Sequence, residues 1–141
     1  MSVSTYVKDI MSTSVVSLFA EQTLPLAEDI MKYKHVRHLP VIDDDRRLLG
    51  LVSHRDLMRA HISSLSGLSS ELMRARLQDV TVREIMTKDV WAVTPETLAV
   101  VAGRTLLDHR FGCLPVVDAE HRLIGIVTER DFLRLALAIL E

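Results

Sequence analysis

Leu39-Pro40-Val41, Gly50-Leu51-Val52-Ser53 and Arg55-Asp56 recur 75 positions further on as Leu114-Pro115-Val116, Gly125-Ile126-Val127-Thr128 and Arg130-Asp131. Ile10-Met11 recurs at the same offset as Ile85-Met86. Several anchors at one fixed spacing mark two copies of one supersecondary unit, spanning roughly 7–61 and 82–136. The only slack lies at Thr23-Leu24 and Thr97-Leu98, one residue closer, which predicts a one-residue shift of the first helix between copies.

Each copy has the same local pattern. Val15 to Leu18 and Val90 to Val93 are β-branched runs of strand type. Leu24, Ala27, Ile30 and Met31 follow helical spacing, as do Val101, Ala102, Thr105 and Leu106. Leu39–Ile42 and Leu48–Val52 read as two strands joined by the acidic turn Asp43-Asp44-Asp45. Their counterparts are Leu114–Val117 and Leu123–Val127, joined by Asp118-Ala119-Glu120. A second helix starts at Ser53 or Thr128. The expected fold is therefore α+β, two β-α-β-β-α repeats. The domain reading is a first repeat over 1–61, a linker over 62–81 and a second repeat over 82–141. Ser63, Ser64, Ser66, Gly67, Ser69 and Ser70 suggest a flexible connection, and Glu71–Gln78 a short helix. A copy of this size is near the lower limit for independent stability. The two sheets are therefore expected to pack face to face with approximate two-fold symmetry.

Composition narrows the function classes. The chain has 141 residues, 48% of them hydrophobic and 4% aromatic. That is enough for a core of Leu, Val, Ile, Ala and Met, and too apolar for disorder. Seventeen basic and 19 acidic residues leave a net charge of −2, which argues against a nucleic-acid footprint. The N-terminal stretch lacks the apolar region of a signal peptide, and no apolar run approaches a membrane span of about 20 residues. A cytoplasmic protein that engages neither nucleic acid nor membrane is expected.

The chemistry-bearing residues gather at the second helix of each copy. Ser53-His54-Arg55-Asp56 and Thr128-Glu129-Arg130-Asp131 place a hydroxyl at the N-cap and an acid three residues on, the pattern of a capping box. A carboxylate in a first helical turn also suits the vicinal hydroxyls of a ribose, and the N–H groups there favour phosphate. Arg37 and His38 precede Leu39-Pro40, where positive charge suits a helix C-terminus. Gly112 and Cys113 hold those positions in the second copy and carry none. Val15 and Val90, with Val16, Ile42 and Val117, are candidates to flank a planar base, although most such residues serve packing. Met11, Met31, Met58, Met73 and Met86 read as adaptable filler. His35 and His38 are half a metal site at most, and no cluster completes it. The single cysteine, Cys113, has no paired base beside a nucleophile elbow. No catalytic residue, metal or required cofactor is expected, and the chain is read as a non-enzyme.

Ile-Met-(Ser/Thr), Leu-Pro-Val-(Ile/Val)-Asp, Leu-(Leu/Ile)-Gly-(Leu/Ile)-Val and (Ser/Thr)-x-Arg-Asp, present twice, resemble the cystathionine-β-synthase-type (CBS) domain, and two copies resemble a CBS pair or Bateman module. The resemblance implies a regulatory module that binds adenosine-type ligands (AMP, ADP, ATP or S-adenosylmethionine) in clefts between the repeats. It implies ribose contact by Asp56 and Asp131, helped by Ser53, Arg55, Thr128 and Arg130, and phosphate contact by Arg37 and His38. It further implies that the cleft built on Thr128 and Asp131 receives Arg37 and His38, while that built on Ser53 and Asp56 receives Gly112 and Cys113. Such modules usually accompany an enzyme, channel or transporter. A standalone module acting on a separate regulated protein is expected here. A dimeric scaffold that has lost ligand binding is the alternative. The C-terminal segment Asp131–Glu141, apolar almost all round, implies burial against a second copy and hence a homodimer.

Overall fold

The structure, a computed structural model, describes residues 4–64 and 69–141. Its elements in chain order are α1 (Val7–Ile10), β1 (Leu18–Phe19), α2 (Leu24–Lys34), β2 (His38–Ile42), β3 (Leu48–Ser53) and α3 (His54–Ser64). There follow α4 (Ser70–Leu77), α5 (Val82–Ile85), α6 (Ala99–His109), β4 (Cys113–Val117), β5 (Leu123–Thr128) and α7 (Glu129–Leu140). The chain forms two compact units. A continuous unit comprises Val16–Val90, and a split unit combines the residues up to Val15 with Trp91–Glu141. Each unit is thus built from the body of one sequence repeat and the leading segment of the other.

In the continuous unit the sheet order is β1-β2-β3, with β1 parallel to β2 and β2 antiparallel to β3. The β2–β3 turn closes on Asp43, whose Oδ1 accepts the N–H groups of Asp45 and Arg47, both at 2.9 Å. Leu18, Leu24, Leu39, Val41, Val52 and Leu57 fill the core, joined by Leu77 of α4 and by Val82 and Met86. The β3 pattern alternates buried and half-buried residues, as a strand with one face on a core requires.

The split unit repeats this design on β4 and β5, which pair antiparallel with Leu114 opposite Val127. Asp118 Oδ1 holds the turn through the N–H groups of Glu120 and Arg122. Val7 of α1 packs with Ala102, Leu106, Leu114, Val116 and Val127. Gly103 on α6 lets α7 approach closely, since a Cβ there would stand 3.0 Å from Phe132. α7 has no fully buried residue.

Three expectations are corrected. Val15–Ser17 and Val90–Ala92 are not strands. β1 is confined to Leu18–Phe19, and its counterpart is a single parallel bridge between Val93 and Val116. β-branched composition favours extended backbone, but a strand also needs a partner edge, and β2 and β4 offer only a short one. The first helices are not shifted. α2 and α6 both begin and end at the 75-residue offset, and both close on left-handed residues, His35 (φ 55°) and Arg110 (φ 56°). What moves is the threonine: Thr23 is the N-cap of α2, whereas Leu98 is that of α6 and Thr97 Oγ1 accepts the Thr94 N–H at 3.1 Å. Finally, Ser63, Ser64 and Ser70 of the expected flexible connection are helical. Its remainder at 65–68, including Ser66 and Gly67, lies outside the described residues. The helix expected at Glu71–Gln78 is α4, and the side chain of Met73 on it also lies outside them.

Candidate functional site: two helix starts

β3 runs directly into α3 and β5 directly into α7, and each junction carries a hydroxyl–carboxylate pair. Asp56 Oδ2 accepts the Ser53 N–H at 2.8 Å and the Ser53 hydroxyl at 2.9 Å. Ser53 Oγ in turn accepts the Asp56 N–H at 3.2 Å. In the other unit Asp131 Oδ2 accepts the Thr128 N–H at 2.8 Å and the Thr128 hydroxyl at 3.3 Å. All these contacts use one carboxylate oxygen. The other is left for a further donor; for Asp131 its charged neighbour is the Arg134 guanidinium, 4.0 Å away. Both carboxylates are half-buried. Each is an acceptor fixed in a helical first turn, where the backbone N–H groups and the helix dipole add positive potential.

The neighbours differ between units. The strand register sets His38 opposite Ser53 and Cys113 opposite Thr128. The Arg37 carbonyl accepts the first N–H of α3, from His54, at 2.8 Å, and the Gly112 carbonyl accepts that of α7, from Glu129, at 3.5 Å. The continuous unit therefore brings Ser53, Asp56, Arg37 and His38 to one end of its hairpin. The split unit brings Thr128 and Asp131 together with uncharged Gly112 and Cys113. Burial pushes the Cys113 thiol up to about 12, so it stays neutral across the physiological range. Arg55 and Arg130 are exposed, one turn position before their aspartates. Val15 and Val90 are half-buried and lie outside the strands, each the last residue before the chain passes to the other unit. Among the described residues no group of three or more His, Cys, Asp or Glu is placed to hold a metal ion, and no helix is long and apolar enough to cross a membrane.

Two features escaped the sequence reading. One is the pair of short helices α1 and α5 and their docking. Their signal was present as acids three residues after the cap: Asp9 accepts the Tyr6 N–H at 2.8 Å and Glu84 the Thr81 N–H at 3.1 Å. The other is a ring cluster in the split unit. Trp91 lies 4.2 Å from His109 and 5.8 Å from Phe111, centroid to centroid. No periodicity announces a cluster drawn from a loop, a helix end and a turn.

A strand hairpin feeding a helix, with paired hydroxyl and carboxylate at the helix start, occurs twice and makes the chain a tandem α+β module. The model of the CBS domain matches residues 7–63 and 82–138, and the chain belongs to that family. It is similar to a CBS domain-containing protein of Dictyostelium discoideum, 32% identical over 135 residues, covering 96% of this chain and 93% of that one. It is also similar to the homoserine O-acetyltransferase of Methanohalobium evestigatum, 30% identical over 131 residues, but spans only 24% of that protein's length. Among solved structures, CBSX2 in complex with AMP matches with a TM-score of 0.81 and 33% identity, covering 96% of this chain and 98% of that one. The CBS domain pair of protein MJ0100, in complex with 5'-methylthioadenosine and S-adenosyl-L-methionine, matches with a TM-score of 0.81 and 25% identity, covering 96% and 98%.

Proposed function

We propose that this chain is a regulatory, ligand-sensing module for adenosine-type molecules, with Asp56 and Asp131 accepting ribose hydroxyls. The observation that carries the reading is the duplicated helix start. Each aspartate spends one oxygen on its Ser or Thr partner and keeps the other for a donor. A hydrogen bond to a charged acceptor contributes roughly 1.5–3 kcal/mol, enough for each ribose contact to matter. Ser53 and Thr128 orient the carboxylates. Arg55 and Arg130 flank them at the surface. Arg37 supplies positive charge for phosphate oxygens, which Arg engages bidentately, and His38 beside it offers a ring N–H. Val15 and Val90 offer apolar contact to the base. The AMP complex of CBSX2 and the methylthioadenosine and S-adenosylmethionine complex of the MJ0100 pair support the ligand class.

On this reading the chain is not itself an enzyme. Its similarity to about a quarter of a homoserine O-acetyltransferase supports a module that serves a separate activity, here a regulated protein that responds to the bound state. The response requires different affinities for two states of the module. A cytoplasmic setting, where adenine nucleotides abound, fits. The module is a homodimer through α7, where Leu133, Leu137 and Leu140 are 60%, 52% and 80% exposed on one chain and fall at helical spacing along one face.

A thermal-shift screen with AMP, ATP, NADH and S-adenosylmethionine tests the reading. A ligand at a hundred times its Kd stabilises the folded state by about 2.7 kcal/mol, so at least one adenosine compound raises the melting temperature by several degrees. No shift with any of them would leave the scaffold reading in its place.

A further inference from the structure

Each unit holds its strand hairpin from outside with a segment that belongs to the other sequence repeat. In the split unit Ser12 and Ile126 exchange both backbone hydrogen bonds, at 2.9 and 3.0 Å. In the continuous unit Thr87 and Leu51 do the same, at 2.9 and 3.0 Å. The reason lies in the ladder. Ile126 is opposite Pro115 and Leu51 opposite Pro40, and both are non-hydrogen-bonded pairs, whose N–H and carbonyl groups point away from the partner strand. Those of Ile126 and Leu51 therefore face the outer edge, where they pair with the incoming segment. The preceding glycine makes the approach close. A Cβ on Gly50 would lie 2.7 Å from the Thr87 carbonyl oxygen, and one on Gly125 would lie 3.1 Å from that of Ser12 and 2.8 Å from Met11 Sδ. Upstream, α1 is anchored by Val7 N–H to Thr97 and Lys8 N–H to Pro95, and α5 by Val82 N–H to Gln22 and Arg83 N–H to Ala20.

The clamped residues, Ile126 and Leu51, stand two positions before Thr128 and Ser53. We propose that the segments Thr5–Ser12 and Thr81–Thr87 are straps that position the two helix-start sites, and that strap docking and adenosine binding favour each other. The inference rests on the adenosine reading given above. A docked strap fixes the last residues of β5 or β3, and these aim the hydroxyl that orients Asp131 or Asp56. A loosened strap lets that junction move. By linkage, a ligand that needs the aligned junction must tighten the strap by the same factor that the strap tightens the ligand.

The test combines amide hydrogen exchange and calorimetric titration with AMP as the probe. In the unaltered protein, AMP slows exchange of the amides at Ser12 and Ile126, at Thr87 and Leu51, or at both pairs, by about tenfold. Gly50→Ala, which pushes on the Thr87 carbonyl, or Gly125→Ala, which pushes on Ser12 and Met11, weakens AMP about tenfold at temperatures where the variant remains folded. The exchange experiment needs no variant, so failure of a glycine variant to fold does not remove the test. If AMP binds the unaltered protein but leaves the strap amides exchanging at their free rates, or binds both glycine variants as tightly as the original, the strap inference is overturned and the adenosine reading stands. If AMP does not bind, the same experiment is read with whichever of ATP, NADH or S-adenosylmethionine does, and if none of them binds both fall.

Discussion

Asp56 and Asp131 each spend one oxygen on the helix start, which makes a cap and the proposed ribose contact compatible in one residue. Their position was legible because the Ser/Thr-x-x-Asp spacing appears twice at one offset. Which oxygen each spends on its cap, and the Arg134 guanidinium beside Asp131, belong to side-chain geometry that spacing does not encode. Cys113 was legible as a packing residue, and the structure shows the electrostatic result of its burial. Its thiol is raised from an ordinary value of 9.0 to about 12 with desolvation as the cause. Folding therefore favours the neutral thiol. Its contribution is fully present below pH 9 and is lost as pH rises toward 12, because the unfolded chain ionises first. The expected outcome is that stability to urea falls more steeply between pH 9 and 11 in the natural protein than in Cys113→Ala. Parallel pH profiles for the two would contradict it.

At the scale of elements, periodicity revealed the long helices and the hairpins, because these bury one face of a regular pattern. Elements made by pairing rather than pattern were hidden. The valine runs at Val15 and Val90 look like strands but find little edge, while α1 and α5 are too short for any period to show. The helix ends were equally hidden. His35 and Arg110 adopt left-handed backbone, where side-chain sterics disfavour every residue but glycine. The amide of each ties back to its own helix, His35 to Met31 and Arg110 to Leu106 and Leu107. His35→Gly and Arg110→Gly are expected to stabilise the protein by roughly 0.5–1 kcal/mol each, which raises the melting temperature by about 2–4 °C for a chain of this size. Differential scanning calorimetry measures it, and a lowered transition in both would show that the histidine and arginine side chains hold contacts worth more than the backbone strain.

For the whole molecule, the 75-residue offset told that there are two copies and what each contains, but not which copy a segment packs on. The leading segment of each repeat closes the unit built by the other, and a repeat offset is blind to that exchange because both choices give the same sequence. Covering Leu133, Leu137 and Leu140 on α7 recovers roughly 1.5–3 kcal/mol per side chain. Light scattering at micromolar concentration is expected to report twice 15.9 kDa, and Leu137→Glu to give the monomer. A monomeric natural protein would remove the homodimer from the account.

Asp56 and Asp131 stand at helix starts, and the proposed function has them hold ribose as well. Calorimetric titration of AMP into the natural protein and into the Asp56→Ala, Asp131→Ala double variant tests that most directly. Losing a cap costs about 1 kcal/mol, so the double variant should stay folded. Losing a charged acceptor costs roughly 1.5–3 kcal/mol of binding, so its affinity should fall about ten- to a hundredfold. A folded double variant that binds AMP as tightly as the natural protein would show that these aspartates are helix caps and nothing more.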